Sequence, residues 1–335
     1  MKRTLLTIFA SALLLSAATA AALVRYEEPK PKGFVSTTFT GYADYAPFGY
    51  KDRHNFQSLF QPLLDELQRD TEVKLTYIPY GRDIDDWAQL VRSGQVDFMV
   101  GAYYQTETFR GLYLLYPAPI HNPITVFMLP NRIDEVKTTE DLKKLKGVRL
   151  SKEIFSDFVE RQADMLDLIT VDTPYAMFEK LFTKQVDYIL TSYYFGLYEA
   201  IKLGLRYQIA PAKQSLWRIP MFVAVAKTSR HREILSKRLT RYLNNKQIIE
   251  QIQQKLEQMI AEAEEKYNGT VPPTFGVENM PENTKEDLTP STKAPDWVKQ
   301  TDIPKDALLP ADSAAPFEAV SEPLSPAPST DAPNS

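Results

Sequence analysis

The chain contains no cysteine, which excludes disulfides, thiolate metal sites, thiol nucleophiles and a lipidated cysteine at a leader junction. Histidine is scarce as well: His54, His121 and His231 lie far apart, and none has acidic neighbours at a metal-ligand spacing. Ordinary surface or packing roles are expected for all three, and neither a metal nor a cofactor is implied. There is no excess of charge of one sign. The formal net charge is -4, and both signs are interspersed, so nothing points to nucleic acid or an acidic membrane as partner. Beyond the N-terminus, no stretch is apolar enough to span a bilayer.

What is present begins with Met1-Lys2-Arg3, an apolar stretch from Leu5 to Leu15, and the small residues Ala18-Thr19-Ala20. This reads as a cleaved secretory signal peptide over residues 1–20. The apolar core is shorter than the roughly 20 residues that cross a membrane, so a soluble, exported mature protein with no integral membrane segment is expected. Losing Lys2 and Arg3 takes the charge from -4 to -6. At the other end, residues 266–335 gather half of the chain's prolines among Ala, Ser, Thr, Asp and Glu, the composition of a disordered tail.

Between these ends, apolar runs of strand length alternate with helical spacing. Phe34–Phe39 and Val73–Ile78 read as strands, and Phe56, Leu59, Phe60, Leu63, Leu64 and Leu67 as the buried face of a helix that Pro62 restricts at its start. The stretch from Ser93 to Pro119 organises the rest. Gly94 follows a helix as a C-cap, Val96 to Val100 form a buried strand, and a loop carrying Tyr103, Tyr104 and Arg110 comes next. The order strand, helix, strand, helix, strand implies a parallel sheet, so the loops Gly41–Tyr50, Pro79–Arg82 and Ala102–Arg110 converge at one edge.

The alternation then repeats from Ile124, with strands at Gly147–Leu150 and Leu168–Val171 and a helix opened by Thr173-Pro174. It delivers Gln185-Val186-Asp187-Tyr188 through Tyr193-Tyr194, an echo of Gln95-Val96-Asp97-Phe98 through Tyr103-Tyr104. Two lobes built on one plan are expected. Asp97 and Asp187 start strands at equivalent places, where structural hydrogen bonding is the expected role. Pro220–Val225 reads as a last strand and Arg230–Glu265 as one or two helices.

Taken in order, Gly94-Gln95-Val96-Asp97, the apolar run, Gly101, Thr106-x-x-x-Arg110 and Pro119 resemble the family 3 extracellular solute-binding proteins. The resemblance runs from about residue 34 to about residue 260. It implies an α/β fold of the periplasmic-binding-protein type II kind, two lobes of mostly parallel sheet flanked by helices and joined by a two-strand hinge. Lobe 1 is then 33–123 with 221–265, and lobe 2 is 124–220. Crossings are expected near Ile120–Val126 and Arg218–Phe222, with the ligand between the lobes. No catalytic residues are implied. The expected function is capture of a small polar, carboxylate-bearing solute, an amino acid or organic acid, by a periplasmic monomer. The solute is presented to an inner-membrane ABC permease or a sensor protein.

The resemblance assigns Arg110 to the ligand carboxylate, a role suited to the planar guanidinium fork. Arg82 is either a second anionic contact or a partner of Asp83 or Asp85. Tyr42, Tyr45, Phe48, Tyr80, Tyr103, Tyr104, Tyr193 and Tyr194 concentrate aromatic rings at strand ends, to stack on a ligand, face a cation or pack beneath the loops. Where family members hold an ammonium with an aspartate, this chain has Ser192. Where they carry Gly-Thr after the strand matching Gly147–Leu150, it has Ser151-Lys152-Glu153. Two other readings stand beside the receptor. One is an enzyme on the same scaffold, akin to a cyclic-acid dehydratase, with Glu107, Asp44 or Glu153 as acid or base. The other is an envelope scaffold or sensory module tethered by its tail.

Overall fold

Short apolar strands and amphipathic helices alternate along the chain, and in the computed structural model they assemble around one sheet. The structure describes residues 36–52, 55–71, 73–79, 89–105, 111–153, 155–213 and 215–275. The expected signal peptide, the tail beyond Phe275, and Tyr80, Arg82 and Arg110 lie outside these residues. The first lobe opens with β1 (Ser36–Thr40), a small antiparallel sheet of β2 (Asp44–Tyr45), β3 (Gly49–Asp52) and β4 (Asn55–Gln57), and α1 (Gln61–Thr71). β5 (Lys74–Tyr77) and β6 (Phe98–Ala102) follow, and β7 (Leu112–Met128) leads out of it. The second lobe holds α2 (Thr139–Leu142), β8 (Lys146–Leu150), α3 (Asp157–Ala163), β9 (Asp167–Val171), α4 (Pro174–Phe182), β10 (Tyr188–Ser192), α5 (Tyr193–Lys202) and β11 (Ala210–Pro211). The chain returns through β12 (Trp217–Ala226) to α6 (Arg232–Leu243) and α7 (Lys246–Lys266).

The other nine strands form one sheet in the order β5-β1-β6-β12-β7-β10-β8-β9, with β11 paired to β7. β1, β5 and β6 are parallel in one half, and β8, β9 and β10 are parallel in the other. Between them β7 and β12 run antiparallel, pairing from Ala226 against Leu112 to Trp217 against Ile124. These two strands are the expected crossings. β7 begins at Leu112, well ahead of the Ile124 start expected from the sequence, and it contains Pro117, Pro119 and Pro123, residues that disfavour a strand interior. The ladder accommodates the first two at a bulge: Met221 pairs with Ile120 and Val223 with Leu115, so residues 116–119 face Phe222 alone.

The internal echo is carried through to hydrogen bonds. In lobe 1, Asp97 accepts from the backbone N–H and hydroxyl of Thr38 on β1, at 2.9 and 3.1 Å. In lobe 2, Asp187 accepts from the backbone N–H of Lys146 on β8 at 2.8 Å. Each aspartate ties the start of its strand to the neighbouring strand, the structural role expected of it. The helix ends before them match too. Gly94 donates to the Val91 carbonyl and Gln95 to that of Leu90; Lys184 donates to Leu181 and Gln185 to Lys180. Both turns need a left-handed residue, which glycine supplies at φ 70° in one and Lys184 adopts at φ 56° in the other.

The Gly41–Tyr50 segment, expected as a loop, folds instead into the β2-β3 hairpin with β4 beside it. The expected last helices are two, separated where Asn245 caps α7 by accepting from the backbone N–H of Gln247. Helix α7 buries Ile248, Ile252, Leu256, Met259, Ile260 and Ala263 on one stripe. α1 and α6 are joined by Asp70, whose carboxylate accepts from Arg238, Arg241 and Tyr242. Burial on its own would raise the Asp70 pKa, but the hydrogen bonds from Tyr242 and Arg238 outweigh it and hold it below the usual value.

The chain past residue 266, expected as part of the tail, runs exposed over 268–271 and docks again at Phe275. Thr270 lies so close to Gly204 that a Cβ there would stand 2.4 Å from its carbonyl oxygen. Phe275 is buried, stacked at 5.1 Å on Phe182 with Tyr175 at 5.3 Å, both on α4. One aromatic at the right distance anchors a segment whose composition is otherwise that of a linker.

Two outcomes follow for stability. Asp70→Ala, which strands the buried Arg238, is expected to cost about 3 kcal/mol in urea denaturation at neutral pH. Because the folded-state pKa lies below the unfolded one, this contribution is present above about pH 4 and fades as pH falls through the folded value, so the variant's deficit should shrink in acid. Phe275→Ala is expected to lower stability by about 3 kcal/mol in the same assay.

Candidate functional site between the lobes

The carboxyl ends of β1 and β6 in one lobe and of β8 and β10 in the other face the same crevice, so the segments after them meet there. From lobe 1 come Tyr42, Tyr45, Phe48 and Tyr103. Tyr42 sits 5.1 Å from Tyr45 and 6.4 Å from Tyr103, and Tyr45 stacks on Phe48 at 5.2 Å. From lobe 2 come Glu153, Thr191, Ser192, Tyr194 and Phe195. The Tyr45 ring lies 4.8 Å from Phe195, and Phe48 meets Tyr194 edge-on at 6.2 Å.

Polar contacts run through this aromatic set. The Tyr45 hydroxyl donates to Glu153 Oε1 at 2.8 Å. Thr191 Oγ1 donates to the same carboxylate, within 2.9 Å of Oε1 and 2.8 Å of Oε2, and the Ser192 backbone N–H reaches Oε1 at 3.2 Å. Glu153 is 2% exposed. Its position is set from behind: the Arg149 guanidinium donates to the Glu153 carbonyl and to both oxygens of Glu160, and lies over the Phe155 ring at 5.3 Å. Glu160 also accepts from the Phe155 backbone N–H at 2.6 Å. The turn after β8 is therefore held by charge-assisted bonds on both sides.

At the hinge, Asn122 on β7 joins the lobes. Its amide donates to the Tyr103 hydroxyl, and its oxygen accepts from Ser192 Oγ at 2.7 Å. Ser192 also caps α5, its Oγ accepting from the Phe195 backbone N–H at 3.4 Å. At the rim, Gln105 Nε2 donates to the Phe155 carbonyl at 2.7 Å, and the Asp157 backbone N–H to the Tyr104 carbonyl at 3.3 Å. Burial, followed by the neighbouring Glu153 charge, pushes the Tyr45 phenol well above its usual pKa. Burial does the same for Tyr103, reinforced by Tyr42. Both hydroxyls keep their protons and can donate.

The sequence-derived residues thus separate. Tyr42, Tyr45, Phe48, Tyr103 and Ser192 are brought together, whereas Tyr104 is at the rim and 41% exposed. Tyr193 turns into the second lobe, stacked against Phe127 at 6.2 Å, because it opens α5 and does not continue the strand; the neighbouring Tyr194 is the ring that meets Phe48. Arg110, Tyr80 and Arg82 fall outside the described residues. Sequence reasoning passed over Asn122, which no motif marks, and it placed Glu153 only as one acid among several. The signal for Glu153 was the departure at Ser151-Lys152-Glu153 from the Gly-Thr expected after β8. Lys152 beside it is exposed. Among the described residues, no group of three acidic or histidine side chains is arranged to hold a metal ion, and no helix is long and apolar enough to cross a membrane.

Fold and site together define a two-lobed α/β protein of the periplasmic-binding-protein type II architecture. No family model and no curated protein matches the chain by sequence. Solved structures resemble it in fold. An amino acid ABC transporter substrate-binding protein from Streptococcus pneumoniae bound to L-arginine has a TM-score of 0.55 at 16% identity, over 68% of this chain and 94% of that one. The GluR0 ligand-binding core in complex with L-glutamate gives 0.51 at 14% identity, over 70% and 99%. A histidine kinase sensor domain with similarity to periplasmic binding proteins gives 0.50 at 17%, over 71% and 98%. These likenesses show the fold.

Asn122→Ala would leave the Tyr103 and Ser192 hydroxyls without this buried partner. A loss of about 2 kcal/mol is expected in chemical denaturation, with protection of Tyr103 and Ser192 amides reduced in hydrogen exchange.

Proposed function

We propose that the protein is a periplasmic solute receptor that captures a small polar, carboxylate-bearing solute between its lobes and presents it to an ABC importer or a sensor. The observation that carries this reading is the convergence between the lobes of hydroxyl, amide and aromatic groups from strand ends of both halves, around a two-strand hinge. Such a set offers donors and acceptors to a polar solute and flat faces to its carbon skeleton. Hinge closure around a solute buries it and gives a partner a composite surface drawn from both lobes. The neighbours described above include one protein bound to L-arginine and one bound to L-glutamate, which supports an amino acid or organic acid as the solute class. One is a sensor domain, which supports sensing as an alternative output to transport.

In this reading, Arg110 supplies the carboxylate anchor, its guanidinium forming paired hydrogen bonds that neutral donors such as Tyr45 and Tyr103 cannot match in strength. The signal peptide delivers the chain to the periplasm as a monomer, and no chemistry is done on the solute, which leaves unchanged.

The test is a thermal-shift screen of the mature chain against amino acids, organic acids, polyamines and aromatic acids, repeated on Arg110→Ala. A solute at a hundredfold excess over its Kd is expected to stabilise the native state by about 2.7 kcal/mol, and Arg110→Ala is expected to abolish the shift. A shift that survives the substitution would move the anchor elsewhere, and recovery of altered solute would replace the receptor with an enzyme.

A further inference from the structure

The geometry points to a latch: the Tyr45–Glu153 hydrogen bond holds the two lobes together before any solute arrives, with the chain's own carboxylate standing between them. Glu153 belongs to the second lobe and Tyr45 to the first, and their contact at 2.8 Å is direct. Both are 2% exposed, so the bond lies inside the closed crevice and is not a rim contact.

Three further features make the contact a built one. Glu153 is aimed by its own lobe, through Thr191 Oγ1 and the Ser192 backbone N–H on one side and the Arg149-pinned turn on the other. Little ordering is therefore left for closure to impose on it. Tyr45 is equally fixed, its ring set between Phe48 and Phe195, so the hydroxyl arrives with its direction decided. The rim bonds from Gln105 to the Phe155 carbonyl and from Asp157 to the Tyr104 carbonyl close the same face from outside. Opening would strip the Tyr45 hydroxyl from a charged acceptor and expose the Phe48–Tyr194 and Tyr45–Phe195 contacts to water together.

A solute entering this crevice displaces Tyr45 from Glu153 or adds its own donors to that carboxylate. Closure then measures the difference between solute and latch, not the solute alone. The resting molecule already presents the two-lobed surface, and the latch sets how much of it is present without solute.

The absence of native cysteine allows the lobe separation to be read directly. Spin labels are placed through Gln68→Cys on α1 and Asp164→Cys at the end of α3, both exposed. The mature chain is unfolded, refolded in solute-free buffer and examined by double electron–electron resonance. One short distance is expected to dominate, and Tyr45→Phe, which removes only the hydroxyl, is expected to raise the ratio of the longer, open population at least about tenfold. Glu153→Gln should move it in the same direction. A wild-type distribution already dominated by the open distance, or one unchanged by Tyr45→Phe in a variant that keeps the wild-type circular dichroism, would overturn the latch. No solute enters this experiment, so a silent thermal-shift screen and a failed latch are separate outcomes.

Discussion

Everything between the lobes depends on the antiparallel pairing of β7 with β12. Each strand begins in one half of the sheet and ends in the other, so the pair is at once the core ladder of both lobes and their connection. A continuous ladder keeps backbone groups paired across the junction, where a looser linker would leave polar groups buried without partners. It also fixes where the strand ends of the two parallel halves meet. The bulge at residues 116–119 interrupts the ladder on the lobe 1 side of the crossing and relieves it of donors that two prolines cannot supply.

On that framework the crevice is assembled from residues that are individually ordinary. Asn122 sits on the crossing strand itself, so its amide reaches Tyr103 in one lobe and Ser192 in the other without any loop having to be placed. Glu153 is different. A carboxylate so deeply buried is tolerated because it accepts from Tyr45, Thr191 and the Ser192 backbone at once, and because Arg149 stabilises the turn behind it. The serine that replaces an expected carboxylate on β10 and the glutamate that arrives from β8 are thus neighbours, linked through the Ser192 backbone N–H.

Much of this architecture was legible from residues. The recurrence of Gln-Val-Asp before a buried strand announced two lobes, and the structure repeats it down to the aspartate hydrogen bonds and the left-handed residue before them. Strand and helix positions followed from periodicity because each element buries one face. The first half of β7 was hidden because proline signals a break unless a bulge absorbs it, and the bulge shows only in the register against β12. The site was less legible. Tyr193 and Tyr194 are indistinguishable in sequence, and only the start of α5 at Ser192 decides which ring faces the crevice. Glu153 and Asn122 have meaning through partners distant in the chain, Tyr45 and Thr191 for the first, Tyr103 and Ser192 for the second, and nothing local records such pairings.

The docking of Phe275 on α4 has a further consequence. Helix α7 already packs on α1 and α6 in the first lobe and on α5 in the second, and Phe275 adds a second attachment to the second lobe. The C-terminal end of the described chain is thus tied across the junction on the face that carries the helices, so the two lobes share an attachment besides the β7–β12 ladder.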